Sequence, residues 1–495
     1  MTARPTAELQ TDLAAMRRGA CPTLGRPMPT GDGLLARLRP EDCRLTMAQL
    51  RAVARAAAEY GNGILEVTAR GSLQARGLRP ETVAPFERAV LDAGIVPASG
   101  VMVEVPPLSG LDPGEMIDPR PVADDIRQAA GAHAPALVLA PKLTIAVDGG
   151  GRLHLGAVSA DVRLTAIDGG RFLLAAGGTN RTARKMSVVT REGAAAAVVR
   201  VLEAIAAIGL AARGKDLEAA TLEGLYDPAA AEVSVRSEVQ TFLGARSLVW
   251  PHPASQERSS IFDASIAESG RASHPISPPE GEMSGRTEGG SAQHDRWIVG
   301  LVLPYRQARA GDMIGFLDEI EILGLCDLRL SPGHGLILTG LHRGEAMKAE
   351  AAARRHGFWT SPDEPRAAIS LCAGSSGCAS AHFETRAAAE AVASRAPVLL
   401  DGSITLHLSG CPKGCAHPAP AALALVGTPS GYGFVVNGAA SDAPALYIDA
   451  KDLGTALERL ASLVAGAKET GETARDCLSR LGPAAIAAAL TLDGQ

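Results

Sequence analysis

Ile64 to Leu78 reads ILEVTARGSLQARGL, and Asp327 to Leu341 reads DLRLSPGHGLILTGL. The two stretches align without a gap: apolar alternation of the kind a half-buried strand requires, a turn-like centre, a second alternating run, and a closing Gly-Leu. Each follows a helical pattern, LTMAQLRAVARAAAEYG in the first case and GDMIGFLDEIEILGLC in the second. Each of those follows a short strand-like run, GLLARLRP or IVGLVLPY, and each unit ends in another helical run, PETVAPFERAVLDAG or RGEAMKAEAAARRHG. The order strand, helix, strand, helix therefore occurs twice, and it predicts a duplicated α+β chain.

A longer α/β segment follows each unit. In the first, KLTIAVDGGGRLHL reads as a hairpin with a glycine-rich turn, and GAAAAVVRVLEAIAAIGLAARG as an Ala-rich helix closed by Gly214. In the second, VLLDGSITLHLSG, AALALVG and YGFVVNG read as strands. Residues 251–295 are rich in Ser, Pro and Gly and poor in large apolar side chains, so they cannot bury enough surface to offset the entropy of ordering. They read as a disordered linker. The expected division is an N-terminal extension with a first half-domain over 1–95, an α/β domain over 96–250, the linker, a second half-domain over 296–360 and a second α/β domain over 361–495.

With 46% hydrophobic residues in 495, the chain has material for several buried cores. The N-terminus lacks a basic segment followed by an apolar run, and Arg200 and Glu203 interrupt the most apolar long segment, Gly193 to Ala212. No membrane association is expected, and eight scattered cysteines suit a reducing cytoplasm better than a disulfide framework. A net charge of -6 with 3% aromatic residues argues against a nucleic-acid binder.

Four cysteines form two short pairs, Cys372 and Cys378 in LCAGSSGCASAHF, and Cys411 and Cys415 in SGCPKGCAHP. Small residues let the backbone approach a metal and offer N–H groups to its sulfurs, so four thiolates from two such loops suit zinc or an iron–sulfur cluster. A zinc hook usually spaces its cysteines by two to four residues, and the five between Cys372 and Cys378 suit a larger cluster. Cys-x3-Cys also departs from the Cys-x2-Cys of thioredoxin-like dithiols. Cys21, Cys43, Cys326 and Cys477 are isolated and read as small core residues.

Cys-x5-Cys followed by Gly-Cys-x2-Gly-Cys, in the second half of a duplicated chain, resembles the cluster signature of the sulfite and nitrite reductase superfamily. GNGILEVTARGSLQARGL is similar to that superfamily's ferredoxin-like half-domain segment, and the likeness extends over nearly the whole chain outside the linker. Within the superfamily, RRGACPTLGRPMPTGDGLLARLRP, PPLSGLDP, AVDGGG and GCPKGCAHP are similar to segments of the precorrin-3B synthases of aerobic cobalamin biosynthesis. The resemblance implies two ferredoxin-like half-domains and two larger α/β domains related by pseudo-two-fold symmetry. It further implies a 4Fe-4S cluster on Cys372, Cys378, Cys411 and Cys415, with room beside it for a further iron or sirohaem.

The implied reaction is meso-carbon hydroxylation of precorrin-3A by dioxygen, with closure of a lactone. The alternative is sirohaem-dependent reduction of sulfite or nitrite. No strand–GxGxxG–helix fingerprint is present, so a separate electron-donor protein using NADH or NADPH is the expected partner. A polycarboxylate tetrapyrrole needs convergent cations. Arg39, Arg70 and Lys142 match basic positions that face the tetrapyrrole in the superfamily, and Arg37, Gln74 and Arg76 are near neighbours with a weaker match. The chain departs from the sulfite reductases at Thr144, where they carry a second Lys, and at VMVEVPP, where they carry Arg-Asn. His382, His407 and His417 stand beside the cysteines as candidate ligands of a further iron. Lys413 lies between the last two cysteines, and no catalytic residue is assigned.

Overall fold

The computed structural model describes residues 22–218, 227–235, 244–248, 296–324, 327–361, 363–417 and 419–491. The expected linker over 251–295, Cys21 and Cys326 lie outside the described residues. The fold is α+β and duplicated, with four five-stranded sheets that form two matching pairs.

The first sheet runs Met28–Thr30, Gly33–Leu38, Leu73–Leu78, Ile64–Val67 and Gln307–Arg309, all antiparallel. Its counterpart runs Gly244–Leu248, Arg296–Val302, Gly335–Leu341, Asp327–Ser331 and Arg44–Thr46. Each sheet thus takes one edge strand from the other half of the chain. Arg309 pairs with Ile64, and Thr46 pairs with Asp327. The two pairings superimpose when Thr46 is matched to Arg309 and Ile64 to Asp327, and the same spacing carries Gly71 onto His334 and Leu78 onto Leu341. Gly71 and His334 share a left-handed backbone, with φ of 72° and 69°, so the turn geometry repeats even where glycine has become histidine.

The helices Met47–Tyr60 and Ala310–Glu321 lie against these sheets. The first starts at a capping box: the Thr46 hydroxyl accepts from the Gln49 N–H at 3.1 Å, and the Gln49 carbonyl accepts from the Thr46 N–H at 2.9 Å. Leu50, Val53, Phe86, Val299, Phe316 and Leu338 belong to one continuous core. Each such side chain contributes roughly 1.5–3 kcal/mol when fully buried. Both repeats therefore depend on one shared interior.

The other two sheets match strand for strand. Met102–Glu104, Thr144–Asp148 and Ala160–Ala166 are parallel neighbours, and Arg171–Gly178 and Arg184–Thr190 continue antiparallel. Ile369–Leu371, Leu406–Ser409 and Ala421–Thr428 are parallel, and Gly431–Gly438 and Leu446–Asp449 continue antiparallel.

Two sequence expectations are corrected by this sheet pairing. KLTIAVDGGGRLHL is not a hairpin: Thr144–Asp148 is buried along its whole length between two parallel neighbours, and the chain beyond Asp148 leaves the sheet as a loop. The Asp148 carboxylate holds that loop by accepting from the N–H groups of Gly150 at 2.9 Å and Leu155 at 2.6 Å. The Ala-rich helix spans Arg191–Ile208 and is closed by Gly209, with φ 139°, rather than by Gly214.

Candidate functional site

Parallel neighbours put the loops that follow them on one side of a sheet. Cys372 directly follows Ile369–Leu371, and Cys411 and Cys415 follow Leu406–Ser409, so the fold brings both cysteine loops to one edge. The Cys372 sulfur accepts the Gly410 N–H at 3.2 Å, and Lys413 joins the loops by donating to the Ser380 hydroxyl at 3.0 Å. Burial pushes the Cys372 thiol upward; the N–H groups of Gly374 and Gly410 oppose this, and the neighbouring Cys378 and Cys411 add to it. Cys378 reaches the first half of the chain. A methyl carbon on Gly31 would lie 2.2 Å from its sulfur, and the Ala379 N–H donates to the Gly31 carbonyl at 3.0 Å.

The donor set fits an iron–sulfur cluster: sulfurs on glycine-lined loops, with backbone N–H groups aimed at one of them. Among the described residues, no three His, Cys, Asp or Glu side chains converge closely enough to hold a single metal ion. A zinc ion needs its thiolates at about 2.3 Å. Of the three histidines, His382 is exposed. His407 is fully buried, has no partner for either ring nitrogen, and meets the His417 ring edge-on at 5.7 Å. Burial, with His417 and Arg306 adding to it, pushes His407 down to about 4. Cys43 and Cys477 are buried away from these loops, as their isolation in sequence suggests.

The first sheet has a polar face opposite its core. Along adjacent strands, Arg37 pairs with Gln74, Gln74 with Glu66, and Glu66 with Gln307. With the Gln74 amide oriented to suit its neighbours, its carbonyl accepts from Arg37 at 2.7 and 2.9 Å, and its amide donates to Glu66 at 3.0 Å. Glu66 also accepts from Gln307 at 2.9 Å and Arg76 at 3.1 Å. Arg76 grips Asp32 with two bonds of 2.8 Å. Burial alone would raise the Asp32 carboxyl, but this guanidinium holds it below the usual range. Arg76 is thus occupied structurally, and Arg37 belongs to the row.

Arg39 and Arg70 come together at one carboxylate, that of Glu104. Arg70 donates to it at 3.0 Å and to the Ser159 carbonyl at 2.6 Å; Arg39 lies 3.5 Å from it and donates to the Val103 carbonyl at 3.2 Å. Lys142 does not join them. It is exposed, in the turn that precedes Thr144–Asp148, four residues before Ala146, the register partner of Glu104. Sequence reasoning missed Glu66, Glu104, Asp32 and Gln307. An isolated acid in an apolar run such as VMVEVPP carries little signal, since alternation is equally consistent with a solvated strand face.

The larger domain of the first half repeats the cysteine edge without thiols. Register places Val105 where the other half has Cys372, and Gly149 where it has Cys411. There the loops are closed by carboxylates, Asp148 as above and Asp112 on the N–H groups of Gly114 and Arg152 at 2.8 and 2.5 Å. No helix among the described residues is long and apolar enough to cross a membrane.

Comparison with known proteins agrees with this geometry. The model of the nitrite/sulfite reductase ferredoxin-like half domain matches residues 26–93. A precorrin-3B synthase from Sinorhizobium sp is 42% identical over 480 residues, covering 96% of this chain and 95% of that protein. Ferredoxin–nitrite reductase of Synechococcus elongatus is 25% identical, with 81% of this chain and 77% of that one covered. The sulfite reductase [NADPH] hemoprotein beta-component of Xylella fastidiosa is 27% identical over 32% of this chain and 30% of its own length. Among solved structures, Mycobacterium tuberculosis NirA protein superimposes with a TM-score of 0.56 at 16% identity, covering 92% of this chain and 84% of the other.

Proposed function

The chain belongs to the precorrin-3B synthase family, within the wider fold family of the sulfite and nitrite reductases, and from that membership we propose that it oxidises precorrin-3A to precorrin-3B with dioxygen. The observation that carries this reading is 42% identity over 96% of the chain, against only distant likeness to the reductases. The reaction adds one oxygen atom at a meso carbon and closes a lactone from a ring acetate. The other oxygen atom leaves as water, with two electrons and two protons supplied from outside.

Cys372, Cys378, Cys411 and Cys415 would hold a 4Fe-4S cluster, which when bound supplies electrons one at a time. A separate donor protein drawing on NADH or NADPH would feed it. The polar sheet face of Arg37, Gln74, Glu66 and Gln307 gives the flat macrocycle a hydrogen-bonding floor. Arg39 and Arg70 meet its carboxylates, and Lys142 is a third, outlying cation for a longer side chain. The described residues offer no three-ligand position for a further iron. Sirohaem would compete with the precorrin for the same surface.

Cofactor analysis of anaerobically purified protein separates this reading from a sirohaem reductase. Iron and acid-labile sulfide near four of each per chain, with no sirohaem absorption band, is the expected result. Stoichiometric sirohaem would overturn it.

A further inference from the structure

Glu104 is 4% exposed and is assigned no role by its sequence setting, yet it meets both guanidiniums at the tetrapyrrole face. It ends the strand Met102–Glu104 of the larger domain, whereas Arg39 and Arg70 come from the first repeat. The carboxylate therefore spans the seam between two separately folded sheets.

The internal duplication supplies a comparison within the same chain. The spacing that carries Thr46 onto Arg309 carries Arg39 onto Val302 and Arg70 onto Gly333; the register of the larger sheets carries Glu104 onto Leu371. All three members are charged in one half and all three are absent from the other. The carboxylate and its two arginines are thus present or absent as a set. Beside Ala69, Pro107, Leu153 and Leu155 of the first larger domain and Val302, Leu336 and Ile337 of the second repeat line a mainly apolar cavity of about 320 Å³.

Resting on the reading above, we propose that Glu104 is a positioning residue of the substrate site, fixing Arg39 and Arg70 at a set separation for the carboxylates of the tetrapyrrole. Each guanidinium has five N–H groups. Arg70 uses Nη1 on Glu104 and Nη2 on Ser159, and Arg39 uses the same two nitrogens on Glu104 and Val103, so both keep their Nε–H groups for a ligand. Glu104 offsets one of the two positive charges of Arg39 and Arg70, and the buried Arg163 lies close enough to interact with both Glu104 and Arg70.

The test uses cluster-loaded enzyme carrying Glu104→Asp, Glu104→Gln or Glu104→Ala. Steady-state kinetics with precorrin-3A are read alongside fluorescence titration with uroporphyrin III, a stable tetrapyrrole polycarboxylate. KM and the uroporphyrin Kd rise about tenfold in Glu104→Ala, less in Glu104→Gln, and return towards wild type in Glu104→Asp, while kcat falls about threefold or less and cluster absorption is unchanged. Should Glu104→Ala not fold, the isosteric Glu104→Gln carries the test. Unchanged or tighter binding in the folded variants, with wild type binding normally, would overturn the role of Glu104 alone. Failure of wild type both to bind uroporphyrin and to oxidise precorrin-3A would instead remove the functional reading.

Discussion

At the scale of single residues, the cysteines divide by environment. Cys372 is raised by burial and stabilised by N–H groups on its loops, Cys378 is pressed against Gly31, and Cys477 is fully buried in the core of the last domain beside Val464. With the cluster proposed above in place, Cys411→Ser or Cys415→Ser should bleach its brown colour and abolish turnover, because a serine hydroxyl does not ionise to replace a thiolate ligand. Cys477→Ser should leave both intact, at a cost of about 1 kcal/mol in denaturant titration for the buried hydroxyl. Equal bleaching in all three would mean the ligands are wrongly assigned. The thiols are legible in the sequence because cysteines are rare and their spacing is conspicuous. Glu104 and Glu66 are not, since what distinguishes them is contact with arginines from elsewhere in the fold.

At the scale of elements, the turn glycines and the alternating runs of Ile64–Val67 and Asp327–Ser331 make the duplication readable from the residue order alone. The exchanged edge strands are invisible there. Arg44–Thr46 and Gln307–Arg309 are three residues each, too short for a periodic signal, and their partners lie in the opposite half of the chain. A half-buried carboxyl, Glu115, packs against Gly149 of the glycine loop that reads as a hairpin. Glu115 accepts the Gly110 N–H at 2.7 Å, and burial pushes its carboxyl up to about 8, with Asp118, Asp112 and Asp148 adding to the rise and Gly110 opposing it. The unfolded chain releases this proton at about pH 4.3, whereas the folded chain keeps it to about 8. The folded state therefore binds more protons across that window, and stability falls as pH rises through it. Glu115→Gln, which keeps the acceptor without the charge, should melt close to wild type at pH 5 and progressively above it towards pH 9. Melting curves that stay parallel across this range would show that Glu115 is not held protonated.

At the scale of the whole molecule, strand exchange and the shared core make the two halves interdependent. Leu65 and Leu338 lie in one interior, and Arg51 of Met47–Tyr60 bridges to Asp318 and Glu321 of Ala310–Glu321 at 2.7 and 3.0 Å. A protease cut between residues 251 and 295 should leave both fragments in one species on size exclusion, with cluster colour retained, whereas either half expressed alone should fail to fold. Separation of the nicked fragments under native conditions would contradict the shared core. The same interlock brings the first half against the thiol loops of the second, since Gly31 touches Cys378 across that boundary and the Ala379 N–H donates to the Gly31 carbonyl at 3.0 Å. The central claim is that this joined surface oxidises a precorrin. It is tested most directly by supplying precorrin-3A, a reductant and ¹⁸O-labelled dioxygen to the cluster-loaded protein and weighing the product. One labelled oxygen atom added to the macrocycle is the predicted result; an unchanged precorrin, from protein that instead reduces sulfite or nitrite, would contradict the account.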